Sequence, residues 1–325
     1  MKAVVYSRYG DPAELTLTEI EKPTPKEDDV LIKVFASSIN SWDWDLLRGK
    51  PFLVRMLFGF FNPNNKILGA DVAGVVEAIG RNVNYFKPGD EVFGDIASAG
   101  FGGLADYVSV PEKLLAKKSP KMSFEQAAAL PQAGLLALQG LRYKRPVQQG
   151  QQLLINGAGG GVGTFALQYA KSIGAEVTCV DREEKFDVLR SLGADHLIDY
   201  RKEDYTRTGR QYDYILDVIA HRTIKVYKRA LKPGGIFAMV GGSMGGLLFN
   251  MMLLQPLLSK FRSKQLGIMG YRVSRNDLNE LKSLFEEGKL TPVVDKCFPL
   301  SAAVEAFSYF GLGKFKGKII ITVNK

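Results

Sequence analysis

A run of small residues, Gly157-Ala158-Gly159-Gly160-Gly161-Val162-Gly163, separates two patterns of different period. Ahead of it, Gln152-Leu153-Leu154-Ile155-Asn156 is a short apolar run bounded by polar residues, which predicts a buried strand. Beyond it, Val162, Ala166, Tyr169 and Ala170 recur three or four apart, which predicts a helix. A strand, a glycine turn and a helix form a cradle for a pyrophosphate. The backbone can approach phosphate oxygens where no Cβ stands in the way, and the helix N-terminus offers unpaired N–H groups and partial positive charge. The pattern departs from GxGxxG in one letter, because Ala158 fills the first glycine position ahead of Gly160 and Gly163. Asp181 follows 18 positions after Gly163, near the spacing at which an acid meets the ribose hydroxyls of a dinucleotide. Arg182 and Lys185 stand beside it, and a guanidinium there can clamp a 2′-phosphate. The acid favours NADH and the cations favour NADPH, so both cofactors remain open.

Metal chemistry has little to work with. The soft ligands of the whole chain are His196, His221, Cys179 and Cys297, whereas a catalytic zinc needs three converging protein ligands and a structural one four. Cys179 falls inside a predicted strand and reads as a small buried apolar residue. No metal is expected.

The elements that must carry these residues fall into two classes. Residues 1–120 read as β: Ala3-Val4-Val5-Tyr6, Leu15-Thr16-Leu17-Thr18 and Val30-Leu31-Ile32-Lys33-Val34 are short strands between Gly, Pro and acidic turns. Residues 72–79, Glu91-Val92-Phe93-Gly94 and Tyr107-Val108-Ser109-Val110 continue the pattern, which suits a compact β-barrel. Ser123-Phe124-Glu125-Gln126 is a capping box, and Pro131 should interrupt or bend the helix that it opens. From Leu153 to Val240 strands alternate with helical segments, which implies an α/β doubly wound parallel sheet. The expected domains are 123–269 for the dinucleotide-binding part and 1–122 with 270–325 for the rest. Helices are expected near 277–287 and 302–310, with a closing strand Gly317-Lys318-Ile319-Ile320-Ile321-Thr322-Val323.

With 325 residues, 46% hydrophobic and 24% charged, the chain is long enough for two domains and ordinary for a globular protein. Two cysteines exclude a disulfide framework and suit a reducing compartment, and with Met1 leading directly into a strand a cytoplasmic location is expected. The net charge of +9 is spread along the chain without basic clusters interleaved with aromatics, so no nucleic-acid partner is expected. The apolar stretch 52–61 is too short to span a bilayer and is interrupted by Arg55, so no stable membrane insertion is expected. It reads as a lid or wall for a hydrophobic substrate, or as core. Residues 247–258 are similar, and Gln265-Leu266-Gly267-Ile268-Met269 suits the edge strand of the parallel sheet, an edge that invites a second subunit.

This order of parts resembles the medium-chain dehydrogenase/reductase superfamily over essentially the whole chain. The branch it looks like is the zinc-independent quinone oxidoreductase and enone reductase branch. Its signature is carried by Gly150, Gln151, Leu154, Ala158-Gly159-Gly160-Gly161, Gly163, Gln168 and Lys171. Further family-like pieces are Gly69-Ala70-Asp71-Val72-Ala73-Gly74, Phe86-Lys87-Pro88-Gly89-Asp90 and Leu231-Lys232-Pro233-Gly234-Gly235. The resemblance implies a GroES-like catalytic domain, a Rossmann domain and a homodimer. Where zinc-dependent relatives carry a ligand Cys and a ligand His, this chain resembles them with Asn40 and Ala70, neither of which binds zinc.

Without zinc a plain alcohol is hard to activate, but hydride delivered to a quinone or the β-carbon of an enone leaves charge on a phenolate or enolate oxygen that hydrogen bonds can stabilise. Asn40 and Asp43 match the family's Asn-x-x-Asp, with Asn40 as donor to the carbonyl oxygen or organiser of the nicotinamide side. Asp43 is an orienter of Asn40 or, equally, a turn residue. Tyr107, Tyr271 and solvent are the candidate proton sources. For the cofactor the expected contacts are Gly157 through Gly163, Asp181, Arg182, Lys185 and Asp217, with main-chain groups of Ala220, Val240, Gly241 and Gly242 on the carboxamide side. Leu136 replaces a threonine whose hydroxyl usually contacts the cofactor in relatives. Two other functions compete with quinone or enone reduction. One is a nucleotide-binding redox sensor or scaffold without efficient turnover, and the other an enoyl-thioester reductase docking an acidic carrier protein.

Overall fold

The structure, a computed structural model, describes residues 1–241 and 265–324. The chain divides into two compact units. Unit 1 comprises Met1–Leu135, Val273–Gly288 and Pro292–Lys325; unit 2 comprises Leu136–Arg272 and Lys289–Thr291.

Unit 1 is built on β3 (Asp29–Ile39), an 11-residue strand buried along nearly all its length. It pairs antiparallel with β4 (Asp71–Ile79), β6 (Tyr107–Pro111) and β15 (Lys318–Thr322). The sheet continues outward to β14 (Val294–Pro299) on one side and to β5 (Glu91–Asp95) and β7 (Leu115–Lys117) on the other. A separate two-stranded ribbon joins β1 (Lys2–Val5) to β2 (Thr16–Glu19). Val30, Ile32, Val34, Val72, Val76 and Val92 fill one core cluster. Ile39, Leu46, Leu47, Phe307, Ile319 and Ile321 fill another. Each such side chain, fully buried, contributes about 1.5–3 kcal/mol of hydrophobic stabilisation.

Two short helices interrupt the half that was expected to be β throughout: α1 (Ser41–Arg48) and α2 (Phe52–Phe58). The capping box at Ser123 opens α3 (Phe124–Ala129), and Pro131 begins a new helix, α4 (Pro131–Gly140), in which the division between the units falls. Residues 123–135, expected with the dinucleotide-binding part, group with unit 1. Phe124 stacks on Phe35 at 4.5 Å, and Gln132 N donates to Asp71 at 2.9 Å.

Among the described residues, unit 2 carries a six-stranded, wholly parallel sheet. In chain order its strands are β8 (Gln152–Asn156), β9 (Glu176–Asp181), β10 (His196–Asp199), β11 (Tyr212–Asp217), β12 (Leu231–Met239) and β13 (Gln265–Ile268). Their spatial order is β10-β9-β8-β11-β12-β13, the doubly wound arrangement that reverses direction between β8 and β11. Helices α5 (Gly161–Ile173), α6 (Phe186–Ser191) and α7 (Ile224–Ala230) connect its strands. Among the described residues β13 is the edge strand, as expected from its sequence. The helices expected near 277–287 and 302–310 are α8 (Arg275–Glu286) and α9 (Ala303–Gly311). Residues 247–258 lie outside the described residues.

Candidate active site

In unit 2 the glycine run joins β8 to α5 at the sheet's point of reversal. Asn156, the last residue of β8, donates from Nδ2 to Asp217 Oδ1, at the end of β11, across 2.8 Å. Gly157 follows with φ +83°, a left-handed conformation that side chains resist. At Gly163 a Cβ would lie 2.4 Å from Ala158 Cα and O and from Gly157 O, so only glycine lets the helix close on the strand end. Gly160 caps α5 with extended backbone, leaving the N–H groups of the first turn without helical acceptors. That is the geometry a pyrophosphate needs.

The end of β9 faces this loop. Asp181 accepts from Gly159 N at 2.7 Å through Oδ2 and from Arg182 N at 2.8 Å through Oδ1, with Lys185 Nζ 3.7 Å away and itself buried. Asp181 therefore anchors the loop and carries a neutralising cation beside it. Arg182 donates to Tyr200 Oη at 2.8 Å. On the far side of the reversal point Asp217 is fully buried, and its carboxyl is held above the usual carboxylate range by desolvation, against the opposing bonds from Tyr227 and Asn156. Val240 N donates to Asp217 O, and Ala220 N to Gly241 O, which stitches the carboxyl ends of β11 and β12. Gly242 lies outside the described residues. Leu136 sits in α4, half-buried. Grooves of about 590 Å³ and 370 Å³ run past His196, at the opposite ends of these strands, where His196 pairs with Glu176 at 2.8 Å. Ligands of open parallel sheets sit at the carboxyl ends, so neither groove is assigned.

In unit 1 the sequence expectation for Asn40 needs revision. Its side chain is not a free donor. Nδ2 gives one hydrogen bond to Asp71 Oδ2 at 2.9 Å and a longer one to Ser38 O at 3.4 Å, while Oδ1 accepts from Lys318 Nζ. Asp71 is the hub. It also accepts from Ser38 Oγ at 2.6 Å, from Lys318 Nζ at 3.4 Å and from Gln132 N at 2.9 Å. Asn40, Asp71, Lys318, Ser38 and Gln132 are all buried. Strand register explains the convergence: Ser38 lies opposite Asp71 and Ile39 opposite Ile319, and Asn40, extended and one step past the end of β3, comes beside Lys318, one step before Ile319.

Asp43 is the third residue of α1 and closes a capping turn on Asn40. Its carboxylate accepts from Asn40 N at 2.9 Å and from Gly69 N at 2.8 Å. Desolvation raises its pKa to about 7, the two N–H donors and Lys318 opposing and Asp71 reinforcing the shift. Tyr107 lies on β6, half-buried, with the Lys22 ammonium 3.8 Å from its ring centroid. That is a cation–π contact, and among the described residues Tyr107 shares no hydrogen bond with Asn40 or Asp43. Lys318, Asp71, Ser38 and Gln132 were not anticipated as site residues. The available signal was an acid and a lysine opening otherwise apolar strands.

A zinc ion does not fit these residues. Ala70 offers no donor atom, Asn40 is bound on both edges, and among the described residues no three His, Cys, Asp or Glu side chains converge as metal ligands. Among the described residues no helix is long and apolar enough to cross a membrane. α2 and its flank instead leave Phe52, Met56, Leu57, Phe60 and Phe61 exposed, Phe61 at 83%, which is not the pattern of core packing.

Comparison with known proteins agrees with this architecture. Residues 26–120 match the alcohol dehydrogenase GroES-like domain and residues 192–321 the zinc-binding dehydrogenase family. The chain is 35% identical to the chloroplastic quinone-oxidoreductase QR1 of Triphysaria versicolor, over 99% of this chain and 98% of that one. It is also 35% identical to a chloroplastic NADPH-dependent alkenal/one oxidoreductase of Arabidopsis thaliana, over 99% of this chain and 79% of that one. The solved quinone oxidoreductase of Coxiella burnetii superposes with a TM-score of 0.86 at 29% identity, covering 100% of this chain and 99% of its own. The chain belongs to the medium-chain dehydrogenase/reductase superfamily, in its quinone oxidoreductase branch.

Proposed function

We propose that this protein is a zinc-independent oxidoreductase that uses NADPH to reduce quinones or α,β-unsaturated carbonyls. The observation that carries the reading is the polar knot of unit 1, where an amide and a lysine ammonium occupy the region in which zinc-dependent relatives place metal ligands. Donors of that kind suit an enolate or phenolate oxygen better than the alkoxide of a plain alcohol. When bound, the nicotinamide cofactor supplies the hydride. The chain's own part is to hold the pyrophosphate on residues 157–163, to orient the carbonyl oxygen with Asn40, and to keep that turn rigid through Asp43. Tyr107 or solvent would return the proton. The exposed aromatic ridge at 52–61 would cover a hydrophobic substrate.

NADPH is favoured over NADH by the surroundings of Asp181. Its charge is met by two backbone N–H groups and by Lys185, so a 2′-phosphate would encounter Arg182 and Lys185 more strongly than the acid. The alkenal/one oxidoreductase relative is named for the same cofactor. We also propose a homodimer formed through the β13 edge, which light scattering of the purified protein would test. The test of function is NADPH oxidation by chelator-treated protein against a panel of quinones and enones. Turnover of at least one is expected, and bound NADPH with no turnover of any would favour the scaffold reading, which the leucine at 136 supports. An enoyl-thioester substrate would reveal itself through preference for a crotonyl thioester.

A further inference from the structure

We propose that Lys318 is a positioning residue of this site, its buried ammonium holding and polarising the Asn40 amide so that an amide hydrogen can be given to the substrate oxygen. The inference rests on the reading that Asn40 serves the reduction. Two observations and one physical argument carry it. First, Lys318 Nζ donates to Asn40 Oδ1, which fixes the amide with its oxygen inward and its Nδ2 edge toward Asp71 and Ser38. A free asparagine would sample both orientations, only one of which presents donors. Second, a cation on the amide oxygen draws electron density from the nitrogen, and hydrogen bonds in such chains strengthen one another in a low-dielectric interior. Third, the two Nδ2 bonds are unequal. The one to Asp71 is 2.9 Å and the one to Ser38 O is 3.4 Å, so the second hydrogen is the one a substrate oxygen can take over.

The charges around Lys318 define when it can act. Asp71 touches it, Asp43 and Asp95 act at longer range, and all three favour the ammonium, while desolvation opposes it and prevails, lowering its pKa. As pH rises, Lys318 loses its proton, Asn40 Oδ1 loses its donor, and turnover should fall on an alkaline limb. Arginine keeps its charge throughout that range.

The experiment compares wild type with Lys318→Met, Lys318→Arg and the pair Lys318→Met/Asp71→Asn, using NADPH and a quinone that wild type reduces. Lys318→Met should lower kcat about tenfold or more, as loss of one oriented donor does, with KM for NADPH within about twofold of wild type. The double variant removes the buried charge imbalance but not the loss of orientation, so it should stay as slow as the single one. Lys318→Arg should recover part of the activity and move the alkaline limb to higher pH. If the double variant regains wild-type kcat, or the limb is unmoved in Lys318→Arg, Lys318 is only a counterion for Asp71 and the inference falls. Should Lys318→Met not fold, the other two variants decide. A wild type that turns over no quinone or enone overturns the functional reading itself, and this inference with it; an active wild type with unaffected variants overturns the inference alone.

Discussion

The glycine cradle of unit 2 and the polar knot of unit 1 are built in opposite ways. The cradle lies within residues 156–163, and its requirements are local: a positive φ at Gly157 and no Cβ at Gly163. The knot draws on Ser38, Asn40, Asp71, Gln132 and Lys318, five positions brought together only when β3, β4, β15 and the start of α4 assemble. A nucleotide cradle is mostly backbone, so it leaves its mark as a string of glycines. A buried hydrogen-bond cluster is mostly side chain, so its members are separated by whatever loops the fold requires. The first should fail by losing a ligand, and the second by losing stability or turnover.

Substitutions can break that contrast. The largest effect is expected for Gly163→Val. Its Cβ would meet main-chain atoms at 2.4 Å, so NADPH affinity by fluorescence titration should fall by at least about a hundredfold, near 3 kcal/mol. Next is Asp71→Asn, which leaves the Lys318 ammonium buried without its counterion and should cost about 3–5 kcal/mol in urea unfolding, with NADPH binding spared once folded. Asn40→Ala should then lower kcat about tenfold and change the cofactor KM little, since it removes an oriented donor of unit 1 and leaves the cradle intact. Unchanged kinetics would show that the assignment of Asn40 is wrong.

Asp43 supplies a pH test. Its folded pKa is raised to about 7, so the folded state holds a proton that the unfolded chain releases near pH 4. Stability from this group is therefore present at acid pH and declines as pH rises from about 4 to 7. The melting temperature should fall across that window, and Asp43→Asn should flatten the slope; equal slopes in both proteins would contradict the burial argument. The smallest effect is expected for Asp181→Ser. It should improve the NADPH to NADH efficiency ratio by only about threefold, because Lys185 already offsets the acid. A much larger change would mean that Asp181 selects the cofactor directly.

Much of the architecture was legible because its signals are short-range. The alternation of strands and helices from Leu153, the capping box at Ser123 and the break at Pro131 all appear where local chemistry put them. Two helices of unit 1 were hidden. α1 and α2 are only 8 and 7 residues long; the start of α1 reads as a polar turn after a strand, and α2 falls in the apolar stretch 52–61, whose residues show no clear period. β3 runs beyond the apolar residues that announced it because Ser37 and Ser38, polar in sequence, are satisfied by Asp71 once buried. Asn40 stands out in the sequence, but its buried partners do not. A lysine opening Lys318-Ile319-Ile320-Ile321 looks like a solvated strand end, and only pairing of β15 with β3 turns it inward. Asp181 was read as a ribose partner, and its bond to Gly159 N depends on a crossover that spacing alone does not reveal.

The proposed reduction of a conjugated carbonyl calls on the Asn40 cluster of unit 1 and, for the cofactor, on the glycine cradle of unit 2. The most direct measurement is the steady-state rate of NADPH consumption by chelator-treated protein with a quinone and with an α,β-unsaturated ketone. Turnover that survives chelation and falls in Asn40→Ala is the predicted result. Tight NADPH binding without turnover, or activity restored only by added zinc, would contradict it.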